Sequence, residues 1–421
     1  MVAPEPPQHE NREQFQQEDM WRKVQSEKLH KAIFEKGQPV IQTDFSAGLI
    51  SGRVWAQPGV KYRRAAIVVH GTLGNRTASQ SFIERLVRYG LLTVSIDMPY
   101  HGDNTNTLHL GTLSETIIAT VKLVQSSYGI TNIVVIGHSF GGVGTLLASS
   151  GFTRQIEQNI FAFNEKMSQL TLEIIRLKEK MQPYLASQKS QTPLTETQTD
   201  VIKQFHTQLQ KLILDFEKVQ AETRKLILDN IVQNISVLDA VKCYVLLAPP
   251  KSLVAAIPGF RHAGTHAADA LYNMLHVFSK SKQDNTFEFH NLRITNLKEF
   301  IEYFMSMNET EDYLDLLDKL VRIAKKDGKI SIYEYYRKKY IQFKPKLFLY
   351  GHFDQFLRPF FGSSDLRKFY ERFGDGRNVL VKTGWYTHFM HDSPLDFNPR
   401  DAVDSTNIAL EVLTFIDEHM A

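Results

Sequence analysis

The chain has 421 residues, 43% of them hydrophobic, and its 49 basic and 46 acidic residues leave a net charge of +3. This composition excludes a fibrous or wholly disordered polypeptide, and the length is long for one domain and short for three. The near balance of charge, with no basic run at either end, leaves no electrostatic footprint for nucleic acid.

The first residues, rich in Gln, Glu and Pro, read as part of an N-terminal extension, partly mobile, over 1–37. They lack the apolar core of a secretory signal, and no stretch of the chain is apolar for long enough to span a bilayer. A cytoplasmic protein is expected. Residues 38–57 fit an antiparallel strand pair at a sheet edge. Short, continuous apolar runs then recur: Ala65 to His70, Leu91 to Asp97, Asn132 to His138, Val241 to Ala248, Lys346 to Gly351 and Asn378 to Thr383. Runs of this kind suit parallel strands buried on both faces. The single cysteine, Cys243, lies in one of them and reads as a small buried hydrophobe. Helical patterns fall between the runs, at Thr77 to Tyr89 before Gly90, at Leu113 to Tyr128 before Gly129, and at Asp401 to Met420. The alternation predicts right-handed βαβ units and an α/β, doubly wound, mostly parallel sheet.

Two stretches interrupt the rhythm. In 152–237, apolar residues recur at Ile156, Ile160, Phe163, Met167, Leu170, Ile174, Leu177, Met181 and Tyr184. They recur again at Ile202, Phe205, Leu209, Leu212, Phe216, Val219, Thr223 and Leu226. The alternating spacing of three and four is a heptad seam, and the polar segment around Pro193 is a loop, so an antiparallel helical hairpin is expected. Arms of about 30 residues would be roughly 45 Å long. The second interruption, 251–343, carries helical patterns at Ala267 to Phe278, Leu297 to Met307 and Tyr313 to Lys325. An insertion at a strand C-terminus sits over the crevice where ligands bind, so this stretch is expected to be a helical cap, or lid. Its Phe260, Tyr272, Met274, Leu275 and Phe278 would line an apolar pocket. The remaining segments, 38–151, 238–250 and 344–421, form the core.

Gly137-His138-Ser139-Phe140-Gly141 lies between a predicted strand and a predicted helix. In that context G-x-S-x-G is a nucleophile elbow: a sharp turn lifts the serine off the strand tip, and glycines on either side admit the backbone closely. His70-Gly71 follows one strand and Asp97-Met98-Pro99-Tyr100-His101-Gly102 another. With these parts in order, the sequence resembles the α/β-hydrolase superfamily, and most closely its esterases, monoacylglycerol lipases and serine aminopeptidase-like hydrolases. The resemblance covers about 45–150, 238–255 and 344–421.

The resemblance implies a catalytic triad of Ser139, Asp354 in Gly351-His352-Phe353-Asp354, and His388 in Thr387-His388-Phe389, in this fold's order of nucleophile, acid and base. His391 is the rival base, and His352 reads as a surface residue. The oxyanion hole would take backbone N–H groups from Thr72, with Leu73 as second choice, and from Phe140. The D-x-P-x-H-G segment reads as structural. The hairpin is an addition to the common pattern.

Other signals are weaker. Ala324 to Glu334 echoes half of a calcium loop, but Ile323 and Lys325 stand where ligating oxygens belong. His262 and His266 are spaced for one helix face, without a third ligand. No metal and no cofactor is expected. The basic residues between Arg322 and Lys346 read as a solvated face. The sequence therefore points to a serine acyl hydrolase for a small-molecule ester, with thioester or amide as further substrates. An acyltransferase with the same triad is the alternative, and an interaction or ligand-receptor protein is the other. The hairpin would be the surface for a homodimer or a partner protein.

Overall fold

The computed structural model describes residues 27–32, 38–71, 74–189, 195–249, 287–289, 292–294, 344–351, 367, 371, 378–384 and 400–420. Its centre is an eight-stranded sheet. In chain order the strands are β1 (Ile41–Ala47), β2 (Ile50–Ala56), β3 (Ala65–Val69), β4 (Leu92–Ile96), β5 (Ile133–His138), β6 (Val241–Leu247), β9 (Lys346–Gly351) and β10 (Val379–Gly384). A separate antiparallel pair, β7 (Phe287–Phe289) and β8 (Leu292–Ile294), precedes β9. The order across the large sheet is β1-β2-β4-β3-β5-β6-β9-β10. β2 is antiparallel to both neighbours, and every other pair from β4 to β10 is parallel.

The predicted apolar runs are the strands, and burial explains why they do not alternate with polar residues. Every residue of β3, β4 and β5 is buried, so both faces need apolar side chains. On one face Ile67, Val135, Tyr244 and Phe348 pack against α2 (Leu110–Tyr128) and α3 (Phe140–Ser149). On the other, Val68, Ile136, Val245 and Leu349 pack against α1 (Gln80–Arg88) and α6 (Arg400–His419). Cys243 is among them, its thiol pushed up to about 12 by burial, and so is inert. Helices on both faces, this strand order and a single antiparallel strand inside the sheet define the α/β-hydrolase fold.

Local chemistry sets the helix ends. After α1, Gly90 N–H reaches Val87 O and Leu91 N–H reaches Leu86 O, with Gly90 at φ 97. That pair of bonds is a Schellman stop. The helix begins at Gln80 and not at Thr77, because Asn75 Oδ1 accepts both Thr77 N–H and Thr77 Oγ1–H and holds a turn. α2 begins at Leu110, three residues earlier than the periodicity predicts. Its Gly111 N–H donates to the buried Glu157 carboxylate, an anion at a helix N-terminus.

Glu157 belongs to α4 (Arg154–Lys189, 36 residues), which with α5 (Glu196–Leu238, 43 residues) makes an antiparallel hairpin. Tyr184 and Phe205 meet near its tip with ring centroids 5.9 Å apart, and Leu238 lies beside Gly151 at its root. From Phe161 to Tyr184 every residue off the predicted seam is exposed, and every seam residue is buried or half-buried. The arms are longer than expected, about 54 and 65 Å. Ile156 and Ile160 extend the seam into a root held by Arg154, which bonds Glu115 and Glu157. Leu226 departs from the seam and is 51% exposed. Thr223, one position earlier in the same seam, is buried.

The helical patterns predicted within 251–343 lie outside the described residues. The β7–β8 pair does not, and it went unpredicted there. Phe-Glu-Phe and Leu-Arg-Ile alternate with period two about a two-residue connection, a hairpin signal.

Candidate active site

Ser139 stands at the C-terminal edge of the sheet's parallel strands, between β5 and α3. Its backbone has φ 50 and ψ −119, a region that costs a non-glycine residue about 1–3 kcal/mol. Ser139 N–H donates to Leu247 O at 2.7 Å, and Ser139 O accepts Gly142 N–H at 2.9 Å. These bonds tie the elbow to β6 and to the start of α3. The side chain makes no capping bond to the helix amides, although it occupies the N-cap position.

The two motif glycines are steric necessities. A Cβ at Gly137 would lie 2.3 Å from Gly141 O, and one at Gly141 would lie 2.4 Å from His70 O. No real Cβ approaches a backbone oxygen so closely, so larger residues would push α3 away from β3. Phe140, read as an oxyanion donor, is the first residue of α3. The first four amides of an α-helix find no partner inside it, and they carry the positive end of the helix dipole.

The loop after β3 lies against the elbow. A Cβ at Gly71 would be 3.0 Å from Ser139 Cβ. Thr72 and Leu73, read as the other oxyanion donors, lie outside the described residues. So do Asp354, His388, His352 and His391. The strands that lead to the triad members are described: β9 ends at Gly351 and β10 at Gly384. Both run parallel to β5, so the chain leaves them at the edge where Ser139 stands.

The Asp97 to Gly102 segment is a support beneath this site. Asp97 is fully buried, and its carboxylate accepts Arg76 N–H at 2.7 Å, Arg76 Nη1 at 2.6 Å, Ser51 Oγ and Asp103 N–H. Arg76 also pairs with Asp44 and Asp103. A Cβ at Gly102, where φ is +52, would lie 2.4 Å from Asp97 Cγ. The structural reading of the motif holds, and His101 is buried with Nδ1 2.9 Å from Pro99 O. The Arg76–Asp97 pair was not foreseen. Nothing in a lone arginine 21 residues before an aspartate marks the two as partners.

Burial, helped by the neighbouring His70 ring, pushes His101 down to about 3 from 6.5. In the unfolded chain it takes up a proton near pH 6.5. Between the two values the unfolded state binds more protons, so stability falls as pH drops through this window. The loss at pH 5 is about 2 kcal/mol. His101→Asn keeps an N–H for Pro99 O but does not titrate, and its unfolding temperature should fall several degrees less than wild type between pH 8 and pH 5. Equal falls would show that His101 does not titrate as described.

No protein-family model matches the chain, and no curated protein sequence matches it. Solved structures do. An esterase of Pyrococcus furiosus shares 12% identity at a TM-score of 0.41, over 91% of this chain and 94% of its own. A structure from a study of two Rhizomucor miehei esterases shares 14% at 0.41, over 94% and 89%. A thioesterase domain from the curacin biosynthetic pathway shares 11% at 0.37, over 90% and 99%. At such values the fold assignment rests on the strand order above. Among the described residues no helix is long and apolar enough to cross a membrane, and no cluster of His, Cys, Asp and Glu is arranged for a metal.

Proposed function

We propose that the chain is a serine acyl hydrolase, a carboxylesterase in its simplest form. The observation that carries this reading is the elbow. A glycine would adopt φ 50 without strain, yet the position holds a serine, and a non-glycine conformation of this kind persists only where the surroundings enforce it. The effect is to hold a hydroxyl at the C-terminal edge of the sheet, beside the N-terminus of a helix.

In the mechanism this supports, Ser139 Oγ attacks the ester carbonyl as His388 takes its proton. Asp354 holds the imidazole in the tautomer that accepts it and stabilises the imidazolium. The tetrahedral oxyanion is met by N–H groups of Thr72 and Phe140, each donor contributing several kcal/mol when aimed at the developing charge. The imidazolium returns the proton to the leaving alcohol, leaving an acyl-enzyme that water then hydrolyses with His388 again as base. Interception of the acyl-enzyme by an alcohol or thiol would make the protein an acyltransferase, and product ratios with a competing acceptor separate the two.

Turnover of a p-nitrophenyl ester chain-length series is the test. Wild type is expected to hydrolyse some member. His388→Ala should lower kcat by about 10³–10⁵, and His391→Ala by no more than about tenfold. The reverse ranking moves the base to His391, and a wild type inert towards the whole series contradicts the reading.

A further inference from the structure

We infer that the β1 edge of the sheet is a docking surface for a second copy of this chain, the two β1 strands pairing antiparallel about a two-fold axis at Thr43. The inference is independent of the serine-hydrolase reading. β1 is the outermost strand of the large sheet, and among the described residues it is paired on one side only, to β2. An antiparallel pair uses every second residue's N–H and C=O, so the others on β1 point away from β2. Such a row is a template for one more strand. Six of the seven β1 residues are exposed, and Phe45 is half-buried. Proteins blunt an open edge with lysine, proline or a bulge. Ile41 to Ala47 contains neither residue, and its register with β2 is unbroken. The strand's one charge is already compensated: Asp44 accepts Arg53 Nε at 2.6 Å, Arg53 Nη2 at 2.9 Å and Arg76 Nε at 3.2 Å.

The strand's own sequence selects a second copy as the occupant. With Thr43 opposite its copy, Ile41 falls opposite Phe45 of the other chain, and Gln42 opposite its Asp44. Threonine pairs and aromatic–β-branched pairs are favourable cross-strand neighbours. Ile41, Thr43 and Phe45 share the sheet face of Ala56, Val54 and Gly52, their partners on β2, so the new pairs prolong an apolar strip. Ile41 is 52% exposed, and Leu49, in the turn that follows β1, 42%. On the opposite face, Gln42 Oε1 accepts Arg53 Nη1 at 2.7 Å, which turns the glutamine's amide into a donor for the facing carboxylate. Neighbouring registers are worse. An axis at Asp44 sets two carboxylates opposite each other. An axis at Gln42 places Phe45 opposite Pro39, outside the strand. A seven-residue edge falls at the low end of interface size, below about 1,200 Å², so the dimer is weak and reversible.

Sedimentation equilibrium of the full chain over a rising concentration series is the first test. Wild type is expected to pass from monomer to dimer. Thr43→Lys, which changes one exposed side chain and sets two like charges opposite each other on the axis, is expected to stay monomeric with an unchanged unfolding temperature. Cysteine variants read the register. Directly opposed residues have Cα atoms about 4.5–5.5 Å apart, a distance that a disulfide spans. Residue 46 lies three positions from the axis on each copy, so its two Cα atoms would be roughly 20 Å apart. The single natural cysteine, Cys243, is buried and gives no background. Oxidation with copper phenanthroline should link Thr43→Cys into dimers and leave Ser46→Cys unlinked. A wild type monomeric at every concentration, or a Thr43→Cys that does not cross-link, overturns the inference. So does a dimer that survives Thr43→Lys, which would place the contact elsewhere, the helical hairpin included, and so does equal cross-linking of the two cysteine variants.

Discussion

Ser139→Ala is expected to lower kcat/KM for esters by about 10⁴–10⁶ while leaving the fold intact. Nucleophile and base act as one unit, so removing the hydroxyl removes the acyl-enzyme route entirely. Only the residual rate from substrate binding and the oxyanion hole survives. Stability should not follow activity. The hydroxyl caps no helix amide, and the bonds that hold the elbow run through Ser139 N–H and Ser139 O. Alanine keeps the strain at φ 50, so Ser139→Ala should unfold within a few degrees of wild type. Ser139→Gly relieves the strain and should be more stable by about 1 kcal/mol and equally inactive. Activity within tenfold of wild type in Ser139→Ala would remove Ser139 from the mechanism.

Asp97→Ala carries the second large effect, and it acts on stability first. Asp97 is completely buried and its acceptor capacity is filled by Arg76, Ser51 and Asp103. Burial works against the Arg76 charge, but its bonds and attraction to Asp97, with those to Asp103 and Asp44, hold it above the usual arginine range. Truncating Asp97 leaves that guanidinium without its innermost partner and strips an acceptor from the Arg76 backbone amide. Breaking such a pair from one side costs about 3–5 kcal/mol. Asp97 N–H also bonds Ser51 O, and Asn104 Nδ2 bonds Asp97 O, so the segment that carries Met98 and His101 is anchored around this residue. The expected result is a large fall in unfolding temperature together with a loss of ester turnover. A change under 1 kcal/mol would mean that Arg76 is satisfied by Asp44 and Asp103 alone.

The central strands β3, β4 and β5 were legible because they are buried on both faces, which leaves an uninterrupted apolar run wherever such a strand falls. The elbow was legible for a different reason. Gly137 and Gly141 are dictated by backbone oxygens 2.3 and 2.4 Å from where a Cβ would sit, and a steric demand of that kind leaves its mark as a fixed spacing of residue types. What escaped is what has no period. Arg76 sits in a polar turn whose sequence, Asn75-Arg76-Thr77, reads as the start of α1 as readily as its prelude. The His-Gly pair identified the loop after β3, but not that His70 binds backbone on both sides. Along α4 the seam residues are buried or half-buried, whereas on α5 Leu226 is exposed.

The most direct test of Ser139 as an activated nucleophile is fluorophosphonate labelling of the folded wild-type chain, with the adduct located by peptide mapping. The expected result is a single adduct on Ser139, absent from Ser139→Ala. An adduct on another residue, or none on a folded wild-type chain, would contradict it.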